Sequence, residues 1–74
     1  MKSLRVEVDG SGQPTCIFRG ERRHRVEAVL EHWREAGRWW AGEEPKAVFR
    51  VQLTGGKVWE IICAGEWHLL KVYD

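Results

Sequence analysis

The residues best suited to chemistry lie in one short basic segment. It holds four arginines within seven positions, together with an aromatic residue and a histidine: Arg19, Arg22, Arg23, Arg25, Phe18 and His24. Guanidinium groups bind phosphates, and aromatic rings among basic residues are typical of nucleic-acid-binding surfaces. The segment therefore predicts phosphate binding. The alternative is a solvated hairpin whose arginines pair with nearby carboxylates, those of Glu21, Glu27 and Glu31.

Tryptophans form a second group, at positions 33, 39, 40, 59 and 67. Aromatic side chains can stack on single-stranded bases at about 1–3 kcal/mol per base. The alternative is that they fill the core of a small domain, with the indole N–H bonded at its rim. Adjacent residues of a strand point to opposite faces, so Trp39 and Trp40 should include one exposed ring. The predicted nucleic-acid-binding residues are Arg19, Arg22, Arg23, Arg25, Trp39 and Trp40.

The sequence contains no pattern typical of a metal site or of a catalytic site. His24 and His32 are eight residues apart and have no carboxylate at a recognised ligand spacing, so we expect no metal. Cys16 and Cys63 lack the short spacing of zinc or redox motifs and are expected to be free thiols. No nucleophile has a partner base nearby in sequence. The sequence therefore predicts no catalytic residues, no cofactor and no enzyme activity.

Length and charge narrow the class further. The 74 residues are 43% hydrophobic and 31% charged, which predicts one soluble domain over 1–74. Twelve basic and eleven acidic residues give a net charge of +1, far from the balance of a dedicated nucleic-acid binder. The N-terminus lacks the apolar run of a signal peptide and no stretch could span a membrane. We expect a cytoplasmic protein without membrane contact.

Strand patterns run through most of the chain. Residues 4–8 alternate apolar and polar side chains, a turn-rich stretch covers 9–14, and 15–19 is rich in β-formers. Three further strands, 46–53, 57–63 and 66–73, are separated by Gly55-Gly56 and by residues 64–66. The sequence predicts a mainly β domain of five to six short antiparallel strands, as a twisted sheet or a partly closed barrel.

Residues 26–36 fit two structures. Val26, Val29, Leu30 and Trp33 form the stripe of an amphipathic helix that would end at Gly37, which would make the fold α+β. Strand alternation fits the same segment, and a helix would lack a capping residue at its start. We expect a single helix over 26–36, and the extended alternative stays open. The predicted core is Val6, Ile17, Val26, Val29, Leu30, Trp33, Val48, Val51, Trp59, Ile61, Leu69 and Val72.

One family resemblance emerges from several short motifs. They are Phe18-Arg19-Gly20, Arg22-Arg23-His24-Arg25-Val26, Val29-Leu30, Trp33, Gly37-Arg38-Trp39-Trp40, Phe49-Arg50-Val51, Gly55-Gly56, Val58-Trp59-Glu60 and Val72-Tyr73-Asp74. Residues 16–74 thereby resemble a small uncharacterised bacterial domain. That domain occurs alone and at the C-terminus of Y-family polymerase-like proteins of the mutagenic DNA-repair cassette. The chain departs from the pattern at His24, where relatives tend to carry Tyr, and at 61–63.

The resemblance implies a non-catalytic accessory module associated with DNA repair or translesion synthesis, and it carries over no catalytic residue. Its expected partners are single-stranded DNA or a DNA-repair polymerase-like protein. The alternative is a protein–protein adaptor, or a homodimeric structural domain, without nucleic-acid contact. The chain itself would be a monomer or a homodimer.

Overall fold

Six antiparallel strands close into a small barrel, in chain order. The computed structural model describes residues 3–36, 39–42 and 45–73. The strands are β1 (Ser3–Val8), β2 (Pro14–Arg19), β3 (Arg22–Glu35), β4 (Lys46–Leu53), β5 (Val58–Ala64) and β6 (Glu66–Tyr73). The barrel closes where β1 pairs with β6, Ser3 beside His68 and Leu4 beside Trp67. The mainly β prediction is confirmed, in its closed form.

The helix predicted over 26–36 is wrong, because this segment belongs to the 14-residue strand β3. Along its pairing with β4, the register shifts between Val26 and Ala28 and again between Val29 and Glu31. Each shift is a β-bulge that inserts one extra residue, Glu27 or Leu30. The core-facing residues Val26 and Val29 are therefore three positions apart rather than two. Two bulges give a strand the apolar spacing of a helix, and the missing cap agrees with the extended conformation.

The barrel interior is filled by a cluster of buried apolar side chains: Leu4, Ile17, Phe49, Val51, Leu53, Trp59 and Ile61. Leu30 and Val72, both predicted to be buried, are 46% and 40% exposed. Leu30 is exposed because it is the extra residue of a bulge. Val48 is fully buried but does not belong to the interior cluster. It lies on the outer face of β4, between Trp33 of β3 and Ile62 of β5.

A charged network crosses the outer face of the same strands. Arg50 donates from Nε and Nη2 to Oε2 of Glu60, at 3.1 and 2.9 Å, and from Nη1 to Glu31 at 2.7 Å. The Tyr73 hydroxyl donates to the same Glu60 oxygen. Together these bonds cross all four strands from β3 to β6. The Tyr73 and Arg50 hydrogen bonds lower the pKa of the Glu60 carboxyl, although its burial opposes them.

The two open ends of the barrel differ. We call the end that carries the β2–β3 and β4–β5 turns the hairpin mouth. The opposite mouth carries the β1–β2 turn and the connection from β3 to β4, which includes a 3-10 helix at Trp39–Ala41. No helix within the described ranges is long and apolar enough to cross a membrane.

Candidate nucleic-acid interface

A cleft of about 650 Å³ opens at the hairpin mouth. It is lined by Arg19, Gly20, Glu21, Arg22, His24, Lys57 and Trp59. Three of these side chains are cationic and one is anionic. The cleft thus carries a local positive charge that the net charge of the chain does not reveal.

The β2–β3 hairpin brings the first two cations together. Arg19 pairs with Arg22 across the turn, where Gly20 adopts a positive φ of 62° that L-residues with a side chain rarely adopt. Strand alternation then places Arg22 and His24 on one face of β3. Arg23 and Arg25 fall on the other face. The turn between β4 and β5 supplies Lys57 as the third cation.

Two rings form the aromatic part of the cleft. The centroids of His24 and Trp59 are 4.6 Å apart with an interplanar angle of 53°, and the Arg19 guanidinium lies 5.7 Å from the Trp59 ring centroid. Trp59 is only 4% exposed, and its Nε1 has no hydrogen-bond acceptor among the described residues. His24, which is half-buried, therefore offers the more accessible flat surface.

Burial lowers the pKa of His24, and the positive charges of Lys57, Arg22 and Arg19 lower it further. An imidazole with an ordinary pKa near 6.5 is already mostly neutral at pH 7, and this one is more so. His24 therefore adds no charge to the cleft near neutral pH. Its neutral ring can stack on another ring, while the positive charge comes from the three neighbouring cations.

The remaining predicted arginines lie outside the cleft. Arg23 donates from Nε to the Cys16 sulfur at 3.2 Å, a bond that raises the Arg23 pKa. On the same outer face, the Arg5 guanidinium lies 5.2 Å from the centroid of the Phe18 ring. Arg25 lines a separate depression with Val26, Glu27 and Thr54. The basic segment is thus divided between the cleft and the outer face.

The predicted tryptophans do not join these arginines. Trp40 is 72% exposed and lies in the connection between β3 and β4, at the opposite mouth. The side chain of Trp39 lies outside the described part of the chain. Sequence reasoning missed Lys57 and Trp59 as cleft residues. The Gly55-Gly56 turn signal placed Lys57 at the start of a strand. Only the pairing of the strands within the barrel brings this position close to the β2–β3 hairpin.

Comparison with known families assigns the chain. The model of a family described as a domain of unknown function, DUF6504, matches residues 1–74. The chain belongs to the DUF6504 family. A search of the curated proteins found no match, and neither did a search of the solved structures.

The opposite mouth of this DUF6504 domain carries a second, smaller cavity of about 290 Å³. His32 stacks on Phe49 with ring centroids 4.5 Å apart and planes within 10°, and Trp67 lies 5.6 Å from Phe49 on a tilt. Arg34 is the cationic residue of this lining. Phe49 thus lies between two other rings at this end of the barrel, in contrast to the charged cleft at the hairpin mouth.

Metal ligands do not gather in the part of the DUF6504 domain that the structure describes. No group of three or more His, Cys, Asp or Glu side chains there could hold a metal ion. Cys16 is buried and Cys63 half-buried, and both are free thiols. The cleft at the hairpin mouth remains the candidate site, and the groups that line it are mainly cationic and aromatic.

Proposed function

We propose that this DUF6504 domain is a non-catalytic accessory module that binds single-stranded nucleic acid at its hairpin mouth. One observation carries the proposal: Arg19, Arg22 and Lys57 line one cleft around the ring of a neutral His24. Arginine donates paired hydrogen bonds to phosphate oxygens, and lysine adds a positive charge. A base beside the bound phosphate would stack on His24, as bases stack on aromatic platforms in single-strand-binding proteins.

The outer face of β2 and β3 extends this surface. A nucleic-acid strand that leaves the cleft and passes around the β2–β3 hairpin would contact Phe18, with Arg5 against its ring, and then Arg23 and Arg25. Guanidinium and phenyl groups in contact offer both charge and a stacking surface. All four arginines of the basic segment would then contribute, two in the cleft and two beyond it.

The cellular context of the proposal comes from the resemblance of residues 16–74 to the domain attached to polymerase-like proteins. We propose that the module serves a DNA-repair or translesion-synthesis assembly in the cytoplasm, and that single-stranded DNA or a polymerase-like protein is its partner. Its net charge of +1 predicts weak binding in isolation, because long-range attraction to the phosphate backbone is small. A module tethered to a larger assembly does not need high affinity of its own.

The test is titration of a labelled single-stranded oligonucleotide at low and at physiological salt, with the wild-type chain and two matched variants. Arg22→Glu reverses a charge in the cleft. Arg34→Glu makes the same change on the same strand at the opposite mouth. The two positions lie twelve residues apart along β3, roughly 30 Å or more, which exceeds the Debye length of about 8 Å at physiological salt.

Wild type should bind at low salt and weaken as salt rises, since the proposed contacts are with phosphates. Arg22→Glu should reduce the affinity at least about tenfold, the usual scale for a lost charge-assisted contact. Arg34→Glu should bind nearly as wild type does. Failure of the wild type to bind at low salt, or equal losses in both variants, would reject the proposal.

A protein–protein adaptor is the second candidate, and a specific observation favours it. Leu70 and Val72 are 50% and 40% exposed on β6. Beyond His68, β6 has no pairing partner on its β1 side within the described residues. An unpaired strand edge with exposed apolar side chains can accept a strand from another chain. Sedimentation of wild type and Leu70→Glu tests this candidate: a dimer that the substitution dissociates would support it.

A further inference from the structure

The cations of the hairpin mouth are grouped around one cleft rather than arranged in a stripe. Arg19, Arg22 and Lys57 line the same cleft, while strand alternation turns Arg23 and Arg25 to the outer face. A protein groove that binds a continuous nucleic-acid strand carries its positive charges along the path of the phosphate backbone. Three cations around one cleft fit a single group of high negative charge better.

The charge of a phosphate depends on its position in a nucleic acid. A phosphodiester within the chain carries one negative charge, whereas a terminal phosphomonoester carries about 1.5 to 2 at pH 7 and offers three acceptor oxygens. Attraction to a fixed set of cations grows with that charge. Arg19, Arg22 and Lys57 together should therefore hold a phosphomonoester considerably more strongly than a diester.

The other residues that line the cleft favour the end of a nucleic-acid strand over its interior. Glu21, at the tip of the β2–β3 hairpin, lines the same cleft and offsets one of its three positive charges, so the net charge of the lining balances one phosphomonoester and leaves none for a second phosphate. His24 is neutral and half-buried, so it can contact a terminal base without adding charge. The buried Trp59 of the same lining has an indole N–H without an acceptor in the described residues, which a phosphate oxygen that reached it could satisfy.

We propose that the cleft is a receptor for a terminal phosphomonoester of a nucleic-acid strand, with Arg19, Arg22 and Lys57 around the phosphate and His24 against the terminal base. This inference rests on the nucleic-acid binding proposed above and specifies which part of the strand is bound. It distinguishes the module from a protein that coats single strands along their length.

The experiment compares four internally labelled strands of one sequence by fluorescence anisotropy at physiological salt. One carries a 5′-phosphate, one a 3′-phosphate, one hydroxyls at both ends, and one is circular. At least one phosphorylated strand should bind about tenfold more tightly than the hydroxyl and circular strands. Arg22→Glu should abolish this preference, and Arg34→Glu should retain it.

Lys57→Glu is a second cleft variant, in the turn after β4, should Arg22→Glu fail to fold. It should also abolish the preference, and thermal unfolding would verify that each variant is folded. Equal binding of all four strands would overturn the inference while leaving single-strand binding intact. Binding of none, even at low salt, would overturn the proposed function as well.

Two competitors test whether the nucleic-acid strand itself matters. Inorganic phosphate that displaces the phosphorylated strand at equal concentration would overturn the inference, because the strand would then contribute nothing beyond its phosphate. A phosphoserine peptide that binds as tightly as the phosphorylated strand would overturn it too. Both competitors should instead be about tenfold weaker, since only the strand supplies a terminal base to His24 together with the phosphate.

Discussion

Glu60 is the residue whose replacement best tests how the barrel is held together. The residue is only 7% exposed, and one of its carboxylate oxygens accepts three hydrogen bonds, two from Arg50 and one from Tyr73. Glu60→Gln keeps the shape but removes the charge. Glu31 is the matched control, because it pairs with the same Arg50 at 2.7 Å while its side chain is 57% exposed.

The magnitude follows from the number of bonds. Hydrogen bonds to a charged group contribute about 1.5–3 kcal/mol, against about 0.5–1.5 for neutral ones, so the Tyr73 bond, which becomes neutral, loses roughly 1 kcal/mol. The two Arg50 bonds keep one charged partner and lose no more than that each. Three bonds set an upper limit of about 3 kcal/mol. Because 31% of the Arg50 side chain remains exposed to water, we expect about 2 kcal/mol for Glu60→Gln. Glu31→Gln should cost no more than about 0.5 kcal/mol, as for other exposed pairs.

Thermal unfolding followed by circular dichroism measures both variants. A domain of this size loses about 4–8 °C per kcal/mol, so Glu60→Gln should lower Tm by about 8–16 °C. Equal shifts for the two variants, or a shift of less than about 3 °C for Glu60→Gln, would refute the reasoning. Such a result would mean that water solvates Arg50 and Tyr73 as well as the carboxylate does.

The same network predicts a pH dependence with a definite sign. The folded pKa of Glu60 lies below its ordinary value, so the folded state binds its proton less readily than the unfolded chain. The stabilisation is fully present above the unfolded pKa, about 4.3 for glutamate, and is lost as pH falls through the lower folded value. Urea unfolding from pH 6 downward should show this loss in wild type, and Glu60→Gln should flatten it.

Three smaller predictions concern the strands and turns. Gly55→Ala should destabilise by about 1 kcal/mol in urea unfolding, because its φ is +93°, while Gly10→Ala should be neutral or slightly stabilising. Val48→Ala should cost about 2 kcal/mol in the same assay, as for a core valine, although Val48 lies on the outer face. Cys63 should react with a thiol reagent well before the buried Cys16 does, in a timed colorimetric assay.

Each of these predictions has a contrary outcome that is easy to recognise. Equal effects of alanine at Gly55 and Gly10 would show that backbone conformation is not what the turn requires. A loss below about 0.5 kcal/mol at Val48 would mean that the outer face does not pack as an interior does. Simultaneous reaction of the two thiols would indicate that β2 opens on the timescale of the assay.

Much of the fold was predictable because short strands and glycine turns carry local signals. The meander from β4 to β6 follows from alternation and from Gly55-Gly56, and the structure has it as expected. Residues 26–36 were not predictable in the same way. The bulges at Glu27 and Leu30 depend on pairing with β4, which lies later in the chain. In the sequence, their effect is an apolar spacing that resembles the spacing of a helix.

The candidate site was predictable only in part, for a related reason. Arg19 and Arg22 stand out as members of a basic segment, and the hairpin turn between them is visible in the sequence. Lys57 and Trp59 come from the β4–β5 turn and from β5, more than thirty residues later in the chain. Their approach to Arg22 depends on the register of the whole sheet, which composition and spacing do not determine.

The closure of the barrel has a consequence for its motions. Two residue pairs, Ser3 with His68 and Leu4 with Trp67, join β1 to β6 in the described chain, whereas longer ladders join the other neighbouring strands. Amide hydrogen exchange should therefore be fastest along this seam, as local opening begins where the fewest bonds must break. Strands β2 to β5, which build the cleft, pair with one another in sequence and do not depend on the pairing of β1 with β6. Opening of the β1–β6 seam would therefore leave the strand pairing around the cleft intact.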